Sequence, residues 1–523
     1  MKHAALAPIV LGALVATPAL AAPPAGFDAH VEQVMKSSGT PGMAVAIVEN
    51  GQVTLAKGFG VRKQGGAPVD ADTLFLIGST AKAMTAAALA TLVDAGKLKW
   101  DDRVVDHMPA FMMHDAWVTR EMTVRDLLVH RSGLGLGAGD LLYVPRGSYS
   151  RAEIMRRLRY IAPASSFRSA YAYDNILYTV AGQLIEAVTG QTWEAYVRDH
   201  LFAPAGMATA TDELQAFWAS PNHAYPHARY GEAVRGTGPM KPLDERDQLP
   251  QASAPAGLIA ASATDMAKWL QVQLGGGAAP GGARVFSAAA GKEMWTPVTP
   301  IPITPLPEPV AATTPTFEAY ALGWEVRDYR GARIVWHAGG LFGMTSTVVL
   351  IPEKNVGFAI ELNSEEAEPR HGLMWELIDH YLGLPRQDWP AKFKQYRATR
   401  IAAAEAAVKA KAAKPAKVGP SLPLARYAGR YVDAWYGPIE VGADKRGLTV
   451  NFAPTPRMSG RLEHYQYDTF VARFDDRNIE PAYLTFALDA EGKVARITAK
   501  PVSPLADFSF DYADLSFTPE QGK

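Results

Sequence analysis

Cysteine is absent from all 523 residues, which excludes disulfides, thiol catalysis and lipid attachment at an N-terminal cysteine. Net charge is nearly absent too. Lys and Arg number 52 against 53 Asp and Glu, so no broad field favours nucleic acid or an anionic membrane as partner. Beyond the first twenty residues no apolar run approaches the ~20 residues of a membrane span. G-x-S-x-G, the P-loop and the dinucleotide glycine fingerprint are missing, which withdraws support from nucleophile-elbow and nucleotide chemistry. His223 and His227 are four apart, but Pro226 between them opposes the helix that would bring both to one metal. The expected partner is a small molecule or peptide, with no metal and no cofactor.

The chain is 48% hydrophobic and 20% charged, a composition that builds large cores, and its length suggests two or three domains. Met1-Lys2-His3 precedes an apolar run from Ala4 to Leu20, and Ala19-Leu20-Ala21 is an A-x-A-like cleavage site. Residues 1–21 therefore read as a signal peptide. An exported protein, periplasmic or secreted, is expected, with no stable membrane insertion after cleavage. Cores of this size make disulfide staples unnecessary.

Apolar-rich runs in MAVAIVENGQVTLAK (43–57) flank Asn50-Gly51, a dipeptide that tolerates the positive φ of a tight hairpin. A second hairpin is expected at 345–362, where TSTVVLIP and VGFAIEL flank Glu353-Lys354-Asn355, preceded by a strand around Trp336. Between them, residues 79–96, 123–129, 175–189 and 263–274 carry helical spacing, and a last helix is expected over 371–382. The expected fold is α+β: an antiparallel sheet built from both ends of the region, flanked by helices, with a helical subdomain. The Pro-rich stretch 296–315 reads as a surface loop. Residues 22–390 form the first domain on this reading. A Lys/Ala-rich linker (391–420) follows, and residues 421–523, with seven or eight short strands, are expected to close into an antiparallel β-barrel.

The chemistry is concentrated in three segments. LFLIGSTAKAMTAAALATLVDAG (74–96) places Ser79 three residues before Lys82 where a helix opens. Positions i and i+3 share one side of a helix, so the lysine amine can reach the serine hydroxyl, near the positive end of the helix dipole. A serine becomes nucleophilic only when a neighbour takes its proton, which a lysine does only with a lowered pKa. Alone, S-x-x-K also describes an N-capping serine beside a solvated lysine. The second segment, YAYDNILYTVAGQLIEAVTG (171–190), puts Tyr173-Asp174-Asn175 just before an amphipathic helix. The third, IVWHAGGLFGMT (334–345), puts His337-Ala338-Gly339 on a strand.

In this order the three segments resemble the serine β-lactamase/penicillin-binding-protein superfamily, whose motifs are S-x-x-K, Y-x-N or S-x-N, and K-T-G or H-x-G. LLVHRSGLGLG (127–137), PAGMATAT (204–211), the segment 255–270 and LGWEV (322–326) add to the likeness, which covers about residues 28–385. The resemblance implies that Ser79 attacks a carbonyl to form an acyl-enzyme, with Lys82 and Tyr173 sharing the general-base role. It also implies that Asn175 hydrogen-bonds the substrate carbonyl or Lys82, that His337 and Gly339 border the substrate, and that the N–H groups of Ser79 and Gly340 form the oxyanion hole.

His337 stands where antibiotic-hydrolysing members present lysine, and a largely neutral imidazole does not replace that cation. H-x-G is similar to D-aminopeptidases, D-peptidases and esterase-like relatives, so peptide, amide or ester substrates are expected. The alternatives are a carboxylesterase, a weak β-lactamase, or a non-catalytic protein that binds cell-wall peptides. The C-terminal barrel resembles the lipocalin-type appendage of some peptidase-branch relatives. Shaping the active-site mouth and serving homo-oligomer assembly both stay open for it. Tyr431, Trp435, Tyr436, Tyr465 and Phe470 read as its core.

Overall fold

The computed structural model describes residues 23–412 and 418–520. The expected signal peptide, 1–21, lies outside them. Strands β1 (Gly42–Glu49) and β2 (Gln52–Gly60) form the first hairpin. Asn50 and Gly51 take φ of 49° and 78°, the conformation a two-residue turn demands. Every residue of β1 is buried. Ala44, Ala46 and Val48 enter one core, while Met43, Val45 and Ile47 enter another. This alternation marks a strand covered on both faces.

The late strands are β3 (Thr299–Pro300), β4 (Glu318–Tyr320), β5 (Glu325–Tyr329), β6 (Ala332–Leu341), β7 (Met344–Ile351) and β8 (Val356–Leu362). β1 pairs with β8, so both ends of the region close one antiparallel sheet in the order β2-β1-β8-β7-β6-β5-β4-β3. Helices α1 (Phe27–Ser38), α2 (Lys82–Asp94), α3 (Ile176–Thr189), α4 (Ala263–Leu274), α5 (Glu368–Leu382) and α6 (Trp389–Ala412) complete the frame. α2, α3 and α4 pack on one side of the sheet, with α1, α5 and α6 on the other. The Lys/Ala-rich stretch thus begins inside a helix seated on α5, where Trp389 is fully buried and its indole N–H donates to Asp379 at 2.6 Å.

Two segments differ from their periodicity. Residues 123–129 form only a 3-10 turn, Arg125–Leu127. The Asp126 carboxylate accepts from the backbone and hydroxyl of Thr123 and from Arg131 and Arg168, and side-chain bonds of this kind compete with helix propagation. The serine segment splits into a 3-10 turn, Gly78–Ala81, followed by α2.

Strands β9 (Gly429–Asp433), β10 (Gly437–Asp444), β11 (Gly447–Phe452), β12 (Ser459–Gln466), β13 (Thr469–Phe474), β14 (Ala482–Leu488), β15 (Val494–Pro501) and β16 (Ser516–Pro519) close an antiparallel barrel. Closure removes the sheet edges. Its interior is filled by edge-to-face aromatics: Phe486 meets Tyr427 and Phe470 at centroid distances of 5.1 and 5.6 Å, and Phe452 meets Phe474 and Phe517. Tyr431, Trp435, Tyr436 and Phe470 are buried there. Tyr465 is not. Three residues beyond the inward-facing Leu462, it falls on the outer face by plain strand alternation, and its hydroxyl donates to the Lys411 carbonyl at 3.0 Å.

Candidate active site

Ser79 lies in the 3-10 turn, and the Lys82 N–H that ends this turn donates to the Ser79 carbonyl. With three residues per turn, positions i and i+3 eclipse. Lys82 is thereby set directly over Ser79, and its Nζ lies 3.0 Å from the Ser79 Oγ. The same nitrogen donates to Asn175 Oδ1 at 2.7 Å and to the Ala256 carbonyl at 2.8 Å. Lys82 is fully buried and sits 5.0 Å from the Tyr173 ring centre and 5.1 Å from that of Tyr178. Burial lowers its pKa to about 7, against the opposing charges of Asp140 and Asp174.

Three acceptors satisfy the three hydrogens of an ammonium. A neutral amine has two hydrogens and a lone pair, so one contact must reverse. The Ala256 carbonyl cannot donate. Asn175 cannot offer its amide N–H either, because Asn175 Nδ2 donates to Asp140 Oδ2 at 2.8 Å and so fixes Oδ1 toward the lysine. Only the Ser79 hydroxyl can turn and donate to the lone pair.

Asp140 is itself fully buried, accepting from the Tyr143 hydroxyl at 2.7 Å and from the Ser509 hydroxyl at 2.7 Å. Burial raises its carboxyl to about 6, partly offset by these hydrogen bonds and by Lys82. Asp174 is raised to about 7, first by burial, and accepts from the Ser132 hydroxyl at 3.1 Å. Tyr173 is hydrogen-bonded to Ser79, and burial pushes its phenol well above the ordinary value. At neutral pH it is therefore an uncharged phenol.

The third segment approaches as a strand edge. β5 pairs with β6 only from Ala332 to Trp336, so among the described residues no strand pairs with 337–341 on that side. The serine turn packs against this edge. The approach demands glycine from both partners. A Cβ on Gly78, whose φ is +56°, would lie 2.6 Å from the Gly340 nitrogen, and one on Gly339 would lie 2.1 Å from the Ile77 carbonyl. A Cβ on Gly340, by contrast, would meet nothing within 4 Å.

His337 is buried, and both ring nitrogens are engaged: Nε2 with the Tyr320 hydroxyl at 2.8 Å, Nδ1 with the Ala338 carbonyl at 2.6 Å. Burial, then the charge of Lys82, lowers its pKa to about 3, so it is neutral.

Ser79, Tyr173, Asn175, His337, Gly339 and Gly340 all line one cavity of about 610 Å³. Residues not anticipated from the sequence join them. Asp140, Tyr320, the Ala256 carbonyl and the barrel residues Ser509 and Phe508 each complete a contact at this site. One signal did exist: Asp140 is the only charged residue between Arg131 and Arg146, and a lone carboxylate in an apolar, glycine-rich stretch is destined for a buried partner.

The family model described as Beta-lactamase matches residues 27–383, and a domain of unknown function (DUF3471) matches residues 413–519. An unguisins hydrolase from Aspergillus campestris is 32% identical over 423 residues, 77% of this chain and 75% of that protein. Penicillin-binding protein 4 from Amycolatopsis lactamdurans is 32% identical over 332 residues, 62% of this chain and 81% of that one. The octameric penicillin-binding protein homologue from Pyrococcus abyssi superimposes with a TM-score of 0.57 at 21% identity, covering 91% of this chain and 97% of its own.

Proposed function

We propose that this chain, which belongs to the β-lactamase family of hydrolases, is a serine hydrolase that forms an acyl-enzyme on Ser79 and cleaves peptide, amide or ester bonds. The observation that carries the reading is the Lys82 amine at 3.0 Å from Ser79 Oγ, with its pKa brought to about 7 and its other two contacts committed to acceptors. Neutral Lys82 takes the Ser79 proton as Oγ bonds to the substrate carbonyl carbon. The resulting oxyanion is held by the N–H groups of Ser79 and Gly340. Collapse breaks the bond to the amine or alcohol, which leaves with the proton from Lys82 relayed through the Tyr173 hydroxyl. Water then resolves the ester by the reverse proton path. Tyr173 serves as relay, since burial keeps its phenol protonated.

A cavity of about 610 Å³ falls within the ordinary range for sites that enclose small ligands. Leu249, Phe342 and Phe510 supply apolar wall, while Arg235, Glu365 and Arg370 supply charge, a mixture suited to a peptide. His337 offers no cation for a drug carboxylate. The reading extends to an exported enzyme, on the basic and apolar start of the sequence.

A fluorophosphonate probe should label the wild type and leave Ser79→Ala unlabelled. Absence of labelling across several pH values would reduce the protein to a binding module. In a panel of D-aminoacyl amides, p-nitrophenyl esters and a chromogenic cephalosporin, the cephalosporin should be the poorest substrate. Turnover of it at rates matching the esters would overturn the reading of His337.

A further inference from the structure

We propose that Ser509, carried by the segment between β15 and β16 of the barrel, is a positioning residue for the Lys82 amine, acting through Asp140 and Asn175. The path has no gap. Ser509 Oγ donates to Asp140 Oδ2 at 2.7 Å, Asn175 Nδ2 donates to the same oxygen at 2.8 Å, and Lys82 Nζ donates to Asn175 Oδ1 at 2.7 Å. An amide side chain can rotate to exchange its oxygen and nitrogen. What forbids the exchange is the charge and direction of Asp140, and Ser509 holds one of its two oxygens in place.

The barrel segment is seated where this matters. A Cβ on Gly137, whose φ is +70°, would lie 2.7 Å from Phe508 Cδ2 and 2.8 Å from the Phe508 carbonyl. The Gly139 N–H donates to Asp511 Oδ2 at 3.2 Å. Phe508 meets the Tyr173 ring edge-on at 5.9 Å. Residues 508–511 thus dock on 137–140 at two points flanking the carboxylate, and on Tyr173 at a third. Ser509 is buried and borders the cavity.

This inference rests on the proposed serine mechanism and gives the second domain a part in it. The groups facing Lys82 are Asp140, Asp174, Tyr173 and Tyr178, with His130 and His337 beyond them. Of these, Ser509 touches Asp140, and its hydrogen bond favours the ionised carboxylate. Removing the hydroxyl raises the Asp140 pKa further, weakens the negative field on Lys82, and lowers the lysine's own titration midpoint.

The test uses full-length protein. Ser509→Ala should slow fluorophosphonate acylation about tenfold and lower kcat for a p-nitrophenyl ester, with KM within about twofold of wild type. The Lys82 midpoint, followed by NMR of 13Cε-lysine with Lys82→Arg for assignment, should fall by about 0.5. Ser509→Thr, which keeps the hydroxyl, should restore rate and midpoint. An unchanged rate and midpoint in the alanine variant, an effect on KM alone, or a loss that threonine does not recover would overturn the proposal. A wild type that never labels at Ser79 would sink the hydrolase reading instead, and the lysine titration would still decide Ser509.

Discussion

The two interiors of this protein are filled by opposite means. Around Ser79 the first domain buries Lys82, Asp140, Asp174, His130 and His337, each nearly inaccessible to water, and burial is the leading cause of every one of their pKa displacements. The barrel buries rings: Tyr427, Phe452, Phe470, Phe474, Phe486 and Phe517. Aromatic packing stabilises, whereas a buried ionisable group costs free energy unless paired. A fold of this size needs no such cluster for stability, and its packing behind Ser79, beside a strand edge, marks where reactivity is held. The barrel contributes to that cavity through one segment, 505–510.

The sharpest test of this contrast is Lys82→Ala. General-base removal should slow acylation about 10³-fold while the barrel unfolds at its wild-type denaturant concentration. Near-normal labelling would assign the base to another group and dissolve the distinction between the interiors. The converse is Phe486→Ala. Truncating a ring that meets Tyr427 at 5.1 Å and Phe470 at 5.6 Å should destabilise the barrel by about 3–5 kcal/mol. Below its unfolding transition this variant should keep the wild-type acylation rate and pH profile. A changed profile under folding conditions would mean that the barrel core, and not just its 505–510 segment, bears on the site.

How much of this was legible depended on sequence separation. The Asn50-Gly51 and Asn355 turns, the paired hairpins and the barrel strands are written in local alternation and turn chemistry, which need no tertiary context. The Ser79 to Lys82 spacing is local as well, and the 3-10 turn tightens a relation that α-helical spacing already implied. Asp140 to Asn175 spans 35 positions, Lys82 to Ala256 spans 174, and Ser509 to Asp140 spans 369. No periodicity encodes such approaches. They arise when Gly78, Gly137 and Gly339 let backbones meet at distances a Cβ would forbid, and an isolated glycine does not name its neighbour. Tyr465 shows the other limit, since its aromatic side chain suggests core while its place in the alternation of β12, three residues from the inward Leu462, puts it on the outer face.

The smallest expected effect lies at the junction between the two interiors. Asp511, in the barrel segment, is buried and its carboxyl is pushed up to about 9, first by burial and then by the charge of Asp514. It accepts from the Gly139 N–H at 3.2 Å and shares a hydrogen bond with Asp514. A carboxyl with a folded pKa above its unfolded one contributes stability that is complete below about pH 4. That contribution declines as pH rises, until the group ionises near 9. Asp511→Asn keeps the shape of the protonated acid: its carbonyl still accepts from Gly139 and its amide N–H can donate to Asp514. The variant should therefore match wild type at about pH 4 and melt about 2 °C higher at pH 9, as followed by thermal denaturation of the full chain. Parallel melting temperatures across that range would show that Asp511 is not held protonated in the fold. The docking of 508–511 on 137–140 would then owe nothing to a shared proton, and the barrel's part in the site would rest on the cavity-lining residues of 505–510.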